Sequence, residues 1–275
     1  MKYLILGKKD WIREVGEYLR EAGNLVIGMG EGNPGKGVDF FFREDMVSSP
    51  HIENLLREVD RVMLIFPQGK WQIGEKLFSC PSLKNKGVIL IVSYRVYGKP
   101  PVLPATEDTV PSPQEDRGWE EYFLEASLKF FAQMNGYNPV ILRCGEVFGP
   151  GIPGIIGEWI EKNMKGEEIS LPEGKHVIDL VYIQDFWEGL NRVLTRLSQV
   201  KNEVFNLSSG RGVEMREVLK KIFALTGKES PITFSPFPHP EVILSPLKMR
   251  ILFNWSSRYD WRRGLELTVD EIKRG

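Results

Sequence analysis

Between Gly87 and Pro150 the chain follows an order of segments that few folds satisfy. A β-branched run, Val88 to Val92, ends in Ser93. A long loop then leads into a segment whose Tyr122, Phe123, Ala126, Phe130 and Met134 recur at helical spacing, and a second apolar run, Val140 to Leu142, opens into GEVFGPG. Short apolar runs bounded by turn residues mark strands and the 3.6-residue repeat marks a helix, so the order is strand, loop, helix, strand. Strands joined through a helix lie parallel in one sheet, and the expected class is α/β.

The N-terminal part repeats that order. KYLILG reads as a buried first strand and DWIREVGEYLREAG as a helix with Trp11, Ile12, Val15 and Leu19 on one face and Gly23 as its stop. Asn24 to Met29 form a second strand, VDFFF a third, HIENLLREVD a helix, and RVMLIF a fourth strand ending at Phe66 and Pro67; WQIGEKLF makes a short helix before Gly87. GEGNPGKG, from Gly30 to Gly37, does not lie between a strand and a helix as a P-loop does, so a mobile connection is expected. Asp10 and Asp185 are expected as N-caps of the helices that follow them, and SPFPHPEVILSP as a Pro-rich connector.

The 275 residues, 42% hydrophobic and 27% charged, suffice for a substantial core. Thirty-six Lys and Arg against 37 Asp and Glu leave a net charge of -1, which argues against nucleic acid or an anionic membrane surface as partner. Near the start the longest uncharged apolar stretch, Tyr3 to Leu6, is too short for a signal peptide or a membrane span. Cys80 and Cys144 form no CxxC, and a cytoplasmic location is expected. His51, His176 and His239 lack metal-ligand spacing, so no metal is expected and the three take structural or surface roles.

Residues 87 to 150 resemble the middle of the extended short-chain dehydrogenase/reductase family, the NAD-dependent epimerases and dehydratases of nucleotide-sugars. There a strand ends in a Ser/Thr-rich turn with VYG just beyond it, YxxxK lies on the next helix, and an LRxxxxxGPG strand and loop follow. Ser93 stands four positions before Tyr97 of VYG, VYIQD stands for the family's VxVxD, and VFNLSSGRGVEMREV for its YNxxxGxxxSxxE, so that the resemblance covers nearly the whole chain. The departures are as specific. The YxxxK positions fall on Arg117 and Glu121; the GxxGxxG fingerprint reads Gly7, Asp10, Arg13; the acid that holds a ribose is Gly30, with Glu31 one step on; and the two small residues after the fourth strand are Phe66 and Pro67. Asp10 at the head of its helix would compete with a pyrophosphate, while Lys8, Lys9 and Arg13 either hold a phosphate by side chains or form a solvated basic turn.

The resemblance implies a Rossmann-like doubly wound parallel sheet with a small C-terminal α/β substrate lobe: 1–150 as the Rossmann-like domain, completed by about 177–208, with 151–176 and 209–275 as the lobe segments. It implies an atypical nucleotide-sugar epimerase/dehydratase-like protein that lacks the usual tyrosine and lysine chemistry, or a non-catalytic pseudoenzyme that binds a nucleotide-sugar or a protein partner; an oligomer is compatible with both. NAD(P) is implied as cofactor, with weak or absent binding expected from Gly7, Lys8, Lys9, Arg13 and Glu31. Catalytic candidates are Ser93, Tyr94, Tyr122 and Glu121, the last as replacement base; Tyr97, Glu146 and Arg211 are the substrate candidates. Arg117 and Glu121, four apart on one helix, are expected to pair.

Overall fold

A computed structural model describes residues 1–44, 49–67, 72–235 and 241–274. Trp71 of WQIGEKLF, and residues 236–240 of the Pro-rich connector with His239, lie outside the described residues. In chain order the elements are β1 (Lys2–Gly7), α1 (Lys9–Glu21), β2 (Leu25–Gly30), β3 (Phe40–Arg43), α2 (Ile52–Glu58), β4 (Arg61–Ile65), α3 (Ile73–Phe78), β5 (Gly87–Ser93), α4 (Asp116–Asn135), β6 (Pro139–Cys144), β7 (Glu146–Phe148), α5 (Ile155–Lys165), β8 (Ile169–Pro172), β9 (Val177–Tyr182), α6 (Ile183–Thr195), β10 (Glu203–Leu207), β11 (Gly212–Glu214), α7 (Met215–Thr226), β12 (Ile232–Ser235), α8 (Leu247–Phe253) and α9 (Trp261–Arg274). They form two compact units: Met1–Val96, Asp116–Arg143 and Val193–Phe205 in the first; Tyr97–Glu115, Cys144–Arg192 and Asn206–Gly275 in the second.

The first unit is built on a seven-stranded sheet of order β10-β6-β5-β4-β1-β2-β3, whose β2–β3, β1–β2, β1–β4 and β4–β5 pairs are parallel. Leu4 to Leu6, Val62 to Ile65, Val88 to Val92 and Val140 to Leu142 are all buried, as strands covered on both faces require. Strand order reverses between β1 and β4, and in such sheets the crevice outside the strand ends at that reversal is where ligands bind.

Two local expectations are corrected here. Asp10 is not an N-cap: α1 begins at Lys9, with Lys8 extended in the cap position, so Asp10 lies inside the first turn and its carboxylate meets Arg13 at 3.7 Å. A residue already helical cannot fold its side chain back over the free amides as a cap does. The 30–37 segment is not a loose connector: Gly35–Gly37 form a 3-10 turn against α1, where a Cβ on Gly16 would lie 2.0 Å from the Gly37 carbonyl oxygen. The α4 helix does not turn its apolar stripe inward. It buries Gly118, Glu121, Leu124, Glu125, Leu128 and Ala132, while Phe123, Ala126, Phe130 and Met134 face outward and Tyr122 is half-buried. Two carboxylates hold inward positions because each has a partner there; Glu125 accepts both Nε (2.9 Å) and Nη2 (2.7 Å) of the buried Arg143 on β6.

The second unit carries a three-stranded sheet, β11-β9-β7, and a β12-β8 pair. Two buried aspartates tie distant segments to it. Asp179 on β9 accepts hydrogen bonds from the Ser209 hydroxyl (2.6 Å), the Ser209 amide (3.1 Å) and the Leu244 amide (3.1 Å). Asp185, expected as an N-cap, lies inside α6, which begins at Ile183; its carboxylate instead accepts the Ser257 hydroxyl and the amides of Arg258 and Tyr259.

Candidate functional site

In the first unit the YxxxK positions and Ser93 form one closed constellation. β5 delivers Ser93 at its C-terminal end, and α4 turns Glu121 inward with no exposed surface. The Ser93 hydroxyl donates to Glu121 Oε2 at 2.5 Å, the Ser93 amide donates to the same oxygen at 2.9 Å, and Arg117 Nε donates to Oε1 at 3.2 Å. The expected Arg117–Glu121 pair is therefore formed, with its acidic half inside the protein. Burial pushes the Glu121 carboxyl above the usual carboxylate range, and Arg117 and Ser93 pull it back only in part. Each Glu121 oxygen already meets at least one donor, and the carboxyl is placed to orient Ser93. Around it, Tyr94 is buried with the Arg95 guanidinium 5.3 Å over its ring, whereas Tyr122 sits against Trp119 and Phe123 on the outer side of α4.

Beside the β1/β4 reversal two aromatic side chains of the chain pack on each other. Phe66, directly after β4, is buried against Trp11 of the first turn of α1, ring centroids 4.6 Å apart, and takes φ 38°, a conformation that costs a bulky residue on the order of 1–3 kcal/mol. A Cβ on Gly30 would lie 2.5 Å from the Gly7 carbonyl oxygen, so the expected ribose-acid position has no room for a side chain. Glu31 is exposed. Of the three cations at this turn, Arg13 pairs with Glu14 at 3.0 Å, the Lys9 stem runs beside Gly32, and partial burial and the Arg117 charge hold the Lys8 ammonium below its usual range.

In the second unit Tyr97 has no exposed surface, and its hydroxyl donates to Asn206 Oδ1 at 2.7 Å; Asn206 in turn donates to the Ala105 carbonyl and to Glu107. Sequence reasoning missed Asn206, Glu107 and Asp179, although an aspartate inside the apolar VIDLVY run was a signal for the last. Glu146 is half-buried on β7 close to Gly154, and Arg211 is exposed on the loop that Asp179 anchors through Ser209. Among the described residues no group of three His, Cys, Asp or Glu is placed to hold a metal, and no described helix is long and apolar enough to cross a membrane.

The architecture is shared with solved structures. A Thermus thermophilus UDP-glucose 4-epimerase in complex with NAD matches 99% of this chain and 99% of its own with a TM-score of 0.85 at 24% identity. A Thermotoga maritima UDP-glucose 4-epimerase with UDP-glucose matches 100% and 99% with a TM-score of 0.83 at 22% identity. In sequence, the UDP-glucose 4-epimerase of Bacillus subtilis is 24% identical over 269 residues, 82% of this chain and 78% of that protein. That of Lactobacillus helveticus is 24% identical over 198 residues, 64% of this chain and only 60% of its own length. Residues 71–208 match the profile of the NAD dependent epimerase/dehydratase family, the stretch that contains Ser93, Glu121, the Glu125–Arg143 pair and Asn206, and it is to this family that the chain belongs.

Proposed function

We propose that the chain binds a nucleotide-sugar and does so without the nicotinamide-dependent tyrosine and lysine chemistry of its relatives. One observation carries this: Phe66, directly after β4 where relatives keep a small residue, is buried with its ring against Trp11, beside the strand reversal at which dinucleotides bind in such sheets. The missing room at Gly30 and the absence of tyrosine and lysine at 117 and 121 support the same conclusion. The buried polar ties of the second unit, with Arg211 exposed on a loop fixed by Asp179, support retention of the sugar-nucleotide side.

Ligand-induced stabilisation tests this directly. A ligand that binds only the folded chain at about a hundred times its Kd adds roughly 2.7 kcal/mol, which raises the Tm of a chain of this size by about 5 to 10 degrees. UDP-glucose or dTDP-glucose is expected to give such a rise, and millimolar NAD or NADP little or none. Nicotinamide cofactor retained through purification, or a rise of several degrees with either cofactor at micromolar concentration, overturns the proposal.

A second reading, a working enzyme with a substituted base, is favoured by the Glu121 carboxyl, which burial raises above the usual carboxylate range and which is held against the Ser93 hydroxyl. It requires turnover of a nucleotide-sugar that Glu121→Gln abolishes while UDP-glucose still raises the Tm.

A further inference from the structure

The two flanks of α4 differ. On one, Gly74 of α3 faces Leu124 and Ser127. On the other, Lys129, Ala132, Gln133 and Gly136 fall within an arc of about 100° and, with the opening residues of β6 and β10, line a cleft of about 470 Å³. Its floor is apolar: Ala132, Pro139 and Ile141 are buried and Val204 half-buried. Tyr137 contributes its ring, since its hydroxyl is committed to the Phe78 carbonyl at 2.9 Å. The rim is polar, with Lys129, Gln133, Glu203 and Asn202, whose amide donates to Asn138 Oδ1 at 2.9 Å. An apolar floor with a few polar groups above it, at this volume, is the make-up of a small-molecule site. The cleft is separate from the Ser93 constellation, because Glu121 precedes Gln133 by 12 residues, about 18 Å along the helix.

We propose that this cleft binds a small organic monocarboxylate, its apolar or aromatic body on the Ala132, Ile141 and Val204 floor and its carboxylate on the Lys129 ammonium, with the Gln133 amide as a further donor. Charge selects the anion. Glu125 meets Arg143 through both oxygens, at 2.9 and 2.7 Å, and Lys129 reaches the same carboxyl only at 3.9 Å, so two cations share one acid. Desolvation and the Arg143 charge hold the Lys129 ammonium below its usual range, against the pull of Glu125, and a ligand carboxylate beside it relieves that deficit. Glu203, on the β10 side, sets the upper limit: it repels a second negative charge, which favours a monocarboxylate over phosphate.

Naphthalene-2-carboxylate and its neutral isostere naphthalene-2-carboxamide test charge and body separately, with inorganic phosphate as the anion that has no body. In titration calorimetry of the full chain at neutral pH, the acid is expected to bind about ten to a hundred times more tightly than the amide, and phosphate not to compete with it. Lys129→Gln should abolish the preference for the acid, and Gln133→Trp, which fills the cleft, should weaken both compounds. Lys129 and Gln133 are exposed, so neither variant is expected to lower the Tm of the unliganded chain. A readout on the wild type needs no variant: bound acid should slow acetylation of Lys129 by acetic anhydride relative to the other lysines, followed by mass spectrometry. No binding of the acid at millimolar concentration, equal binding of acid and amide, competition by phosphate, or binding that survives both substitutions overturns the proposal. Acetylation of Lys129 unchanged at saturating acid does so too, since the acid then lies elsewhere.

Discussion

Phe66 lies buried against Trp11, their rings 4.6 Å apart, at the sheet position where the strand order reverses, and it holds φ 38° to do so. The backbone conformation and the ring contact oppose each other energetically, and the contact wins. Removing the ring should cost about 3 to 5 kcal/mol in Phe66→Ala through the cavity left behind. Phe66→Gly should be about 1 kcal/mol more stable than the alanine variant, because glycine adopts positive φ without strain. Denaturant unfolding of the two variants checks the order; an alanine variant more stable than the glycine one shows that the backbone there is not strained.

The Glu125–Arg143 pair is 1% and 2% exposed and bidentate. Breaking a buried pair strands one charge in a dry interior, so Glu125→Leu should lose about 3 to 5 kcal/mol. Glu125→Leu combined with Arg143→Leu should recover most of that loss, since two apolar groups replace two desolvated ions. A double variant no better than the single one, by urea denaturation, would show that the pair positions something else.

These results also mark what the sequence could and could not disclose. Strands and helices were legible because apolar periodicity is a local property, and the doubly wound parallel sheet was what the family resemblance implied. The inward face of α4 was not legible: Glu121 was a candidate base from its place in the family pattern, and the burial of Glu121 and Glu125 is explained only by Ser93 and Arg143, 28 and 18 residues away. Gly30 looked like a lost acid, yet its constraint is the Gly7 carbonyl oxygen 23 positions earlier. Asp10 and Asp185 carried the composition of caps, and only the exact start of each helix, which sequence resolves least well, decides whether an aspartate caps or lies inside the first turn.

Asp179 provides a pH signature. Burial lifts its carboxyl from 3.8 to about 6, against the pull of the Ser209 and Leu244 donors. A carboxyl whose folded pKa is raised binds its proton more tightly in the folded state, so its stabilising effect is complete below pH 4 and is lost as pH climbs to about 6. A shift of this size corresponds to about 3 kcal/mol across that window. Asp179→Asn should flatten the stability profile between pH 4 and 6 at the expense of the Ser209 loop, and a profile as steep as the parent's would assign the titration to another group.

Glu121 titrates by the same sign, but its partners differ, and the difference bears on function. Its carboxyl is raised by burial and opposed by Arg117 and by two donors from Ser93, so stability again falls as pH rises from the ordinary carboxylate range through the folded pKa. Glu121→Gln removes the desolvated charge and keeps one oxygen for the fixed Ser93 amide, while the Ser93 hydroxyl can rotate to a new partner and Arg117, 33% exposed, can reach water. The variant should therefore match or exceed the parent in stability at pH 8 and fall closest to it at pH 4, where the parent's carboxyl is itself protonated. If Glu121→Gln is instead destabilised by several kcal/mol at pH 8, the ionised carboxylate is net stabilising through Arg117 and Ser93. Thermal unfolding of parent and variant at the two pH values separates these outcomes, and because it needs no substrate it decides whether the carboxyl is held protonated or ionised independently of any activity.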